Sequence, residues 1–506
     1  MVKLDRLSEQ MNLKKAGEGN PELIGITEDS RQIKPGFVFV AVPGLKFNGR
    51  DFIEAAVTAG ASAIMLTEPD VKLSVPRLIV PEKELRPVMA GTASIIYGRP
   101  SDKMILVGLT GTNGKTTGSY LAESVLARAG LKPGVMGTNN YRWPGTVLPA
   151  DNTTPEGPVL SGTLAQMAAA GSKAAVLEVS SHALKLGRVA GLGFEAALFT
   201  NLTRDHLDFH PDMEDYYQAK KLLFTKHLKP GGKRAVINID DDHGRRLAGE
   251  LGEAALTFGF DPSAEVRGDE LSLSRSGLKM KIVTPNETWI QASPLIGETN
   301  AYNILGAAAL TWAMHISPET IRQALETVEV VPGRLERVGR NEDYLVLVDY
   351  SHGPDSLEKA LKTCRELEPK RLIVTVGAGG ARDKGKRPIM GSISGRMADL
   401  TILTSDNPRT EEPWAILLDM EAGLTDLNLS RYEVGELNND DWAAGSYLMI
   451  VDRRAAIKEA VRLMSPGDIL LIAGKGHEDY QIIGREKRHL DDREEALEAL
   501  TRSGKA

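Results

Sequence analysis

The chain has 506 residues, 42% hydrophobic and 25% charged, with 61 Lys+Arg against 68 Asp+Glu and a formal net charge of −7. That length suits about three domains, the composition excludes whole-chain disorder, collagen or coiled coil, and mild acidity argues against a protein built to coat nucleic acid. The single cysteine, Cys364, excludes a disulfide framework or Cys-rich zinc module, and the lack of a secretory h-region or of an apolar run near ~18 residues points to the cytoplasm without membrane insertion.

The first block, residues 1–99, mixes short strands at 37–42, 63–66 and 77–80 with a helix at 51–59. Its turns carry Pro35-Gly36 and Pro43-Gly44, and Tyr97-Gly98-Arg99-Pro100 reads as a pivot. The second block, 100–332, opens on an apolar strand at 104–109, a glycine-rich turn and a helix at 115–129. Further apolar strands at 174–179, 196–199 and 235–239 alternate with helical segments, the rhythm of a parallel α/β sheet. Residues 266–290 alternate apolar with polar and read as antiparallel strands. The third block, 333–506, repeats the β-then-α rhythm. Its strands fall at 345–348, 372–376, 400–403, 448–451 and 469–472, its helices at 355–366, 388–396, 414–422, 454–464 and 493–501. The expected fold is therefore α/β in three domains. A central P-loop parallel sheet is flanked by a smaller N-terminal α/β domain and a C-terminal doubly wound, Rossmann-like domain.

The most specific motif is Thr110-Gly111-Thr112-Asn113-Gly114-Lys115-Thr116-Thr117, between a strand and a helix. Glycines let the backbone approach phosphate oxygens, and the helix start adds partial positive charge. Lys115 would reach the β/γ-phosphates and the Thr116 hydroxyl would meet Mg²⁺. The strict P-loop pattern needs glycine at position 109, where this chain has Leu109. Glu178 closes a strand, the edge where a carboxylate faces the ligand crevice, and so is a candidate Mg²⁺ ligand. Asp205, His206, Asp208 and His210 crowd a second strand end. Lys220 lies in a helical stretch that composition alone would leave in solvent, and Asn152-Thr153-Thr154-Pro155 reads as a turn with a helix cap.

In the third block four polar groups follow strands: residues 349–352, 377–387, 406–409 and 474–478. Together they favour one binding face over scattered solvated loops. Gly379-Gly380-Ala381-Arg382 is not a dinucleotide fingerprint, so no NAD is inferred.

The strings TGTNGKTT, LEVSSH, NLTRDHLDFH, YQAKKLLF, VDYSHGPDSLEKAL, DNPRTEEP and AGKGHEDYQ resemble the Mur ligase family in its own order, over essentially the whole chain. Within it, Asp406-Asn407-Pro408-Arg409 is similar to the diaminopimelate-type signature of the branch adding the third peptide residue; lysine-adding relatives lack the arginine. The resemblance implies an ATP-dependent amide ligase joining meso-2,6-diaminopimelate to UDP-N-acetylmuramoyl-L-alanyl-D-glutamate. By the family's route the substrate carboxylate would attack the γ-phosphate, giving an acyl phosphate and ADP, and the incoming amine would then take the acyl group and expel phosphate. Products are the tripeptide precursor, ADP and phosphate.

By family position, Gly111, Thr112, Asn113, Gly114, Lys115, Thr116 and Thr117 would bind ATP, joined by Asn303, Arg334, Asp349 and His352. Thr116, Glu178, His206 and a carbamylated Lys220 would hold two Mg²⁺ ions, with Lys115, Glu178, His206 and Lys220 as the catalytic set. Ser30, Leu45, Lys46, Phe47, Asn152, Thr153, Thr154, Ser180 and Arg188 would hold the UDP substrate. Some relatives carry Gln where this chain has Leu186. Arg382, Asp406, Asn407, Pro408, Arg409, Gly474 and Glu478 match the diaminopimelate site, the arginines pairing with carboxylates and Glu478 with the distal ammonium. A monomer with no nucleic-acid partner is expected. The competing classes are the lysine-adding branch or a folate polyglutamylating ligase, a P-loop switch ATPase, and an inactive relative serving as a binding module. The DNPR string disfavours the first pair. The third-block clusters disfavour the ATPase, and intact Lys115, Glu178, His206 and Lys220 disfavour the inactive relative.

Overall fold

The computed structural model describes residues 2–44, 48–69, 71–232, 234–439, 442 and 444–506. It divides into two compact units. One comprises Met1–Arg267, Val283–Glu287 and Asn303–Ala324, the other Gly268–Ile282, Thr288–Tyr302 and Leu325–Ala506. Among the described residues no helix is long and apolar enough to cross a membrane.

The first unit holds two sheets. The smaller runs Lys14–Ala16, Arg77–Ile79, Ala63–Leu66, Phe37–Val40, Gly25–Thr27, parallel except at its first pair. The larger runs Thr146–Pro149, Asn140–Trp143, Gly134–Met136, Ala174–Glu178, Ile105–Thr110, Ala196–Phe199, Ala235–Asn238, Ala255–Gly259. Its inner strands are parallel and buried on both faces, which is why they read as unbroken apolar runs rather than alternating ones. Helices Leu85–Ile96 and Gly157–Ala169 pack tightly enough that a Cβ on Gly157 would fall 2.4 Å from the Ala90 Cβ. The Ser94 hydroxyl donates to the Gly191 carbonyl, 2.9 Å. The first block and most of the second therefore share one unit.

Two details differ from the sequence expectation. The hairpin Asn140–Trp143/Thr146–Pro149 was not anticipated, because its strands are short; its signal is the turn at Pro144-Gly145. Residues 266–290 do form three strands, Val266–Ser274, Gly277–Val283 and Thr288–Ser293, but Val266 and Arg267 pair in parallel with Phe258 and Gly259.

The second unit carries a sheet in the order Glu336–Val338, Leu345–Asp349, Ile469–Ala473, Leu372–Val376, Leu400–Thr404, Ser446–Ile450, Ser430–Arg431. All pairs but the first are parallel. Leu347, Val374 and Leu403 face one apolar cluster, and Val346, Ile373 and Ile402 face the other. Helices thus cover both faces, as the doubly wound expectation requires. The late strand Ile469–Ala473 lies between Leu345–Asp349 and Leu372–Val376, so the loops after four neighbouring strands emerge along one edge.

Candidate active site

Sheet order builds the first site. Ile105–Thr110 lies between Ala174–Glu178 and Ala196–Phe199, so the phosphate loop is flanked by Glu178 on one side and by residues 200–203 on the other. Asn201 grips the loop: its carbonyl accepts from the Thr112 N–H at 2.9 Å and its Oδ1 from the Asn113 N–H at 3.0 Å. The Thr200 hydroxyl donates to the Asn113 carbonyl at 2.6 Å. Gly111 has φ +150°, and a Cβ there would sit 1.9 Å from Thr200 Oγ1, so only glycine fits. Leu109 is a buried strand residue in register with Glu178 and Leu198. Its position belongs to the strand rather than to the phosphate cradle, which accounts for the departure from the strict pattern.

Helix Lys115–Arg128 starts directly from the loop. The Thr116 hydroxyl donates to Glu178 Oε2 at 3.0 Å. Thr138, a residue no motif argument singled out, donates its hydroxyl to Oε2 at 2.9 Å and its N–H to Oε1 at 3.1 Å. Glu178 is buried. A buried carboxylate beside a P-loop hydroxyl is a hard-oxygen pair of the kind Mg²⁺ takes. Among the described residues no group of three or more His, Cys, Asp and Glu is placed to hold a metal.

Lys115 donates to the Gly111 and Thr112 carbonyls at 2.8 and 2.9 Å, and Lys220 donates to the same Gly111 carbonyl at 2.8 Å. Lys220 is 1% exposed, against the composition-based expectation of a solvated helix lysine. It projects from helix Met213–Leu222 with its ammonium 4.5 Å from the Tyr216 ring centre, and no carboxylate among the described residues lies within ion-pair distance. Burial, then the Lys115 charge, push its amine well below the ordinary lysine range.

His206 stands in the left-handed region at φ +54°, with Nε2 3.7 Å from Asp205 Oδ2. Its ring lies 5.0 Å from that of His182 and 5.8 Å from that of Tyr216. Although 43% exposed, its imidazole is lowered by the desolvation of its inner side, opposed by Asp205 and aided by the Lys115 and Lys220 charges. No contact joins it to Glu178 among the described residues. His182 is pushed down to about 4 by burial and by His206. His210 is fully buried, with Nδ1 2.6 Å from Asp215 Oδ2 and Nε2 3.0 Å from Ser181 Oγ, which is a structural role. Asp205 and Asp208 are exposed. Asn303 faces the loop, its Oδ1 2.4 Å from where a Cβ on Gly114 would stand.

Residues expected to hold the UDP substrate form a chain ending on Glu178. Tyr141 donates to the Asn152 carbonyl at 2.5 Å, and the Thr153 hydroxyl lies 3.0 Å from that of Thr138. The Thr154 hydroxyl donates to the Glu178 carbonyl at 2.7 Å and accepts from the Ser180 N–H at 3.0 Å. Arg188 donates to the Thr154 carbonyl at 2.9 Å. Behind it, Glu156 Oε1 lies 2.9 Å from Arg188 Nε and 2.8 Å from Arg86 Nη1. Neither Glu156 nor Arg86 belongs to a motif singled out in the sequence. Leu186 ends the short helix Ser181–Lys185, its N–H on the His182 carbonyl at 2.8 Å. Ser30 opens the turn Ser30–Gln32, capped by Asp29, and touches none of these among the described residues. Leu45, Lys46 and Phe47 lie outside the described residues.

In the second unit the strand edge gathers the third-block clusters. Arg409 has φ +53°, its N–H on the Ile482 carbonyl at 3.0 Å and its Nη1 on the Gly380 carbonyl at 2.9 Å. A Cβ on Gly380 would sit 1.9 Å from the Pro408 carbonyl oxygen, so the loops after Leu372–Val376 and Leu400–Thr404 meet only because that residue is glycine. Arg382 is exposed beside Gly379, near Arg409. Arg387, fully buried, holds the loop by donating to Glu411, Asp419 and the Gly379 carbonyl. Asn407 Nδ2 donates to Glu478 Oε2 at 3.0 Å, and Gly474 at φ +121° passes beside Asp406. Asp349 is buried, taking the Leu335 N–H at 2.8 Å and the Ser351 hydroxyl; burial holds its carboxyl above the ordinary range despite Arg334. Arg334 lies 5.1 Å from the Tyr350 ring centre, and the exposed His352 turns its Nδ1 to the Tyr350 carbonyl at 2.9 Å.

A phosphate loop beside a buried carboxylate is the setting of a nucleotide-dependent enzyme. Residues 22–94 match the Mur ligase family catalytic domain, 109–311 the Mur ligase middle domain and 333–476 the Mur ligase glutamate ligase domain. The chain belongs to the Mur ligase family and has its three-domain α/β fold. It is 45% identical, over 99% of its length and 98% of the relative's, to a UDP-N-acetylmuramoyl-L-alanyl-D-glutamate–2,6-diaminopimelate ligase of Geobacter metallireducens. The namesake of Geobacillus kaustophilus is 41% identical, over 96% of each chain. A solved structure of a ligase with that name superposes with TM-score 0.70 at 30% identity, covering 99% of both chains. The MurF ligase of Thermotoga maritima, solved with ADP, shares the fold at TM-score 0.61 and 19% identity, over 95% of this chain and 98% of that one.

Proposed function

We propose that this chain is an ATP-dependent amide ligase that joins meso-2,6-diaminopimelate to UDP-N-acetylmuramoyl-L-alanyl-D-glutamate, with release of ADP and phosphate. The observation carrying the acceptor is the cluster of Arg382, Asn407, Arg409 and Glu478 at one strand edge of a doubly wound domain. Its guanidiniums suit carboxylates and its acids suit ammonium groups. Lysine lacks the distal carboxylate, so it would leave a half-buried arginine unpaired. The relatives' names support the same pair of substrates.

On this reading residues 1–99 and the central Asn152, Thr153, Thr154, Ser180 and Arg188 hold the UDP substrate, 100–332 bind ATP, and 333–506 bind the amino acid. Lys115 and residues 111–117 cradle the nucleotide phosphates; Asn303, Arg334, Asp349 and His352 complete its binding. Thr116, Glu178, His206 and a carbamylated Lys220 hold Mg²⁺. The donor chemistry fits. The Thr116–Glu178 pair supplies hard oxygens, and an uncompensated buried amine beside the loop becomes an oxygen donor on adding CO₂. When bound, Mg²⁺ screens the repulsion between the attacking carboxylate and the phosphates. The same reading has the enzyme act in the cytoplasm as a monomer.

The test is phosphate release with meso-diaminopimelate, L-lysine or L-ornithine under one condition. Release should require ATP, the UDP-dipeptide and meso-diaminopimelate together, with lysine at least about a hundredfold less effective in kcat/KM. Release that continues when both other substrates are omitted identifies a simple ATPase. Equal use of lysine moves the chain to the other branch.

A further inference from the structure

Lys475 follows strand Ile469–Ala473 and is 0% exposed. Its ammonium lies 3.5 Å from Asp406 Oδ1, 3.5 Å from Glu478 Oε2 and 3.3 Å from Asn407 Oδ1. Three residues of the proposed acceptor site thus meet on one side chain, which the AGKGHEDYQ string contains but to which the sequence reading gave no role. Every polar partner of that ammonium among the described residues is an acceptor-site side chain; none is a backbone carbonyl. Asn407 is fixed at both ends: Oδ1 also accepts from the Ile482 N–H at 2.9 Å, and Nδ2 donates to Glu478 at 3.0 Å. Asp406 Oδ1 is buried with no hydrogen-bond partner among the described residues, and the Lys475 ammonium is the cation within ion-pair distance of it; Arg453, which also acts on Asp406 and Glu478, pairs its guanidinium with Asp492.

Building on the acceptor reading above, we infer that Lys475 is a positioning residue of the amino-acid pocket, an internal counter-ion that holds the Asp406 and Glu478 carboxylates together and aims the Asn407 amide between them. Two carboxylates around one point, Asp406 buried and Glu478 partly buried, repel each other and turn apart unless a cation sits between them. With Lys475 in place the pocket keeps its acids preset for the ammonium groups of the acceptor, while Arg409 and Arg382 remain for its carboxylates.

The test varies ATP, UDP-dipeptide and meso-diaminopimelate in turn, for the wild type and for Lys475→Met. The substitution should raise the meso-diaminopimelate KM about tenfold or more and leave the other two KM values within about twofold, because only the acceptor pocket loses its preset charges. An equal rise in all three, or no rise, overturns the proposal. Should Lys475→Met lack a cooperative thermal transition, Lys475→Gln is measured against the same split; failure of both to fold makes Lys475 a scaffold residue and also overturns it. The wild-type arm keeps the two readings apart. A wild type indifferent to meso-diaminopimelate removes the acceptor assignment itself, whereas a normal wild type with an unsplit Lys475→Met removes only the role of Lys475.

Discussion

Lys220 is 1% exposed, with one hydrogen bond to a carbonyl and no carboxylate within ion-pair distance among the described residues. Burying an unpaired ammonium carries a penalty of roughly several kcal/mol, so the residue is retained against stability. That separates two roles by sign. Lys220→Met should abolish phosphate release, without rescue by bicarbonate, while the melting temperature holds or rises. A fall of several degrees would mean that the ammonium is compensated in the fold and would remove the reason to carbamylate it. Arg409 poses a related case in the backbone: a non-glycine residue at φ +53° stores on the order of 1–3 kcal/mol of strain. Arg409→Ala should raise the meso-diaminopimelate KM by about tenfold or more with little change for ATP; equal effects on both would take Arg409 out of the acceptor site.

At the scale of elements, the inner strands were legible because parallel strands covered on both faces must be apolar throughout. Ala63–Leu66, Ala196–Phe199 and Leu372–Val376 fall where the sequence places them. Loop chemistry at strand ends was legible for the same reason, since position after a parallel strand decides which edge a residue faces. The remainder was hidden because it depends on partners far along the chain. Glu156 joins Arg86 to Arg188, and Lys475 gathers Asp406, Asn407 and Glu478, contacts that no local pattern specifies. The short hairpin after Met136 lacked the length for a clear alternation. Gly157 is a third such case: its need to be small comes from Ala90 on another helix. Gly157→Leu should therefore overpack the crossing of Leu85–Ile96 and Gly157–Ala169 and lower stability by about 1–3 kcal/mol in chemical denaturation. An unchanged midpoint would mean that the two helices part readily.

For the whole molecule, two electrostatic effects pull in opposite directions as the pH falls. The net charge of −7 vanishes near the isoelectric point of about 5.9, which relieves self-repulsion and favours the compact state. Against this, the hydrogen bonds from Arg246 and from Arg387 hold Glu214 and Glu411 down to about 2, and that from Lys185 lowers Asp215. A carboxyl with a depressed folded-state value contributes stability that is complete above its ordinary value, 4.5 for glutamate, and is lost as pH falls through the folded value near 2. Glu28, raised by burial and by Glu156, and Asp349, raised by burial, act the other way. The lowered group is broader, reaching also Asp29, Glu319 and Asp491, so it decides the acid limb. The melting temperature should therefore be level or slightly higher between about pH 7 and 5, then fall from about 4.5 downward. About 1 M salt should flatten part of that fall, because exposed pairs such as Arg246–Glu214 are screened while the buried Arg387 keeps most of its pairing with Glu411. A melting temperature still climbing at about pH 4 would show that self-repulsion outweighs the paired carboxylates.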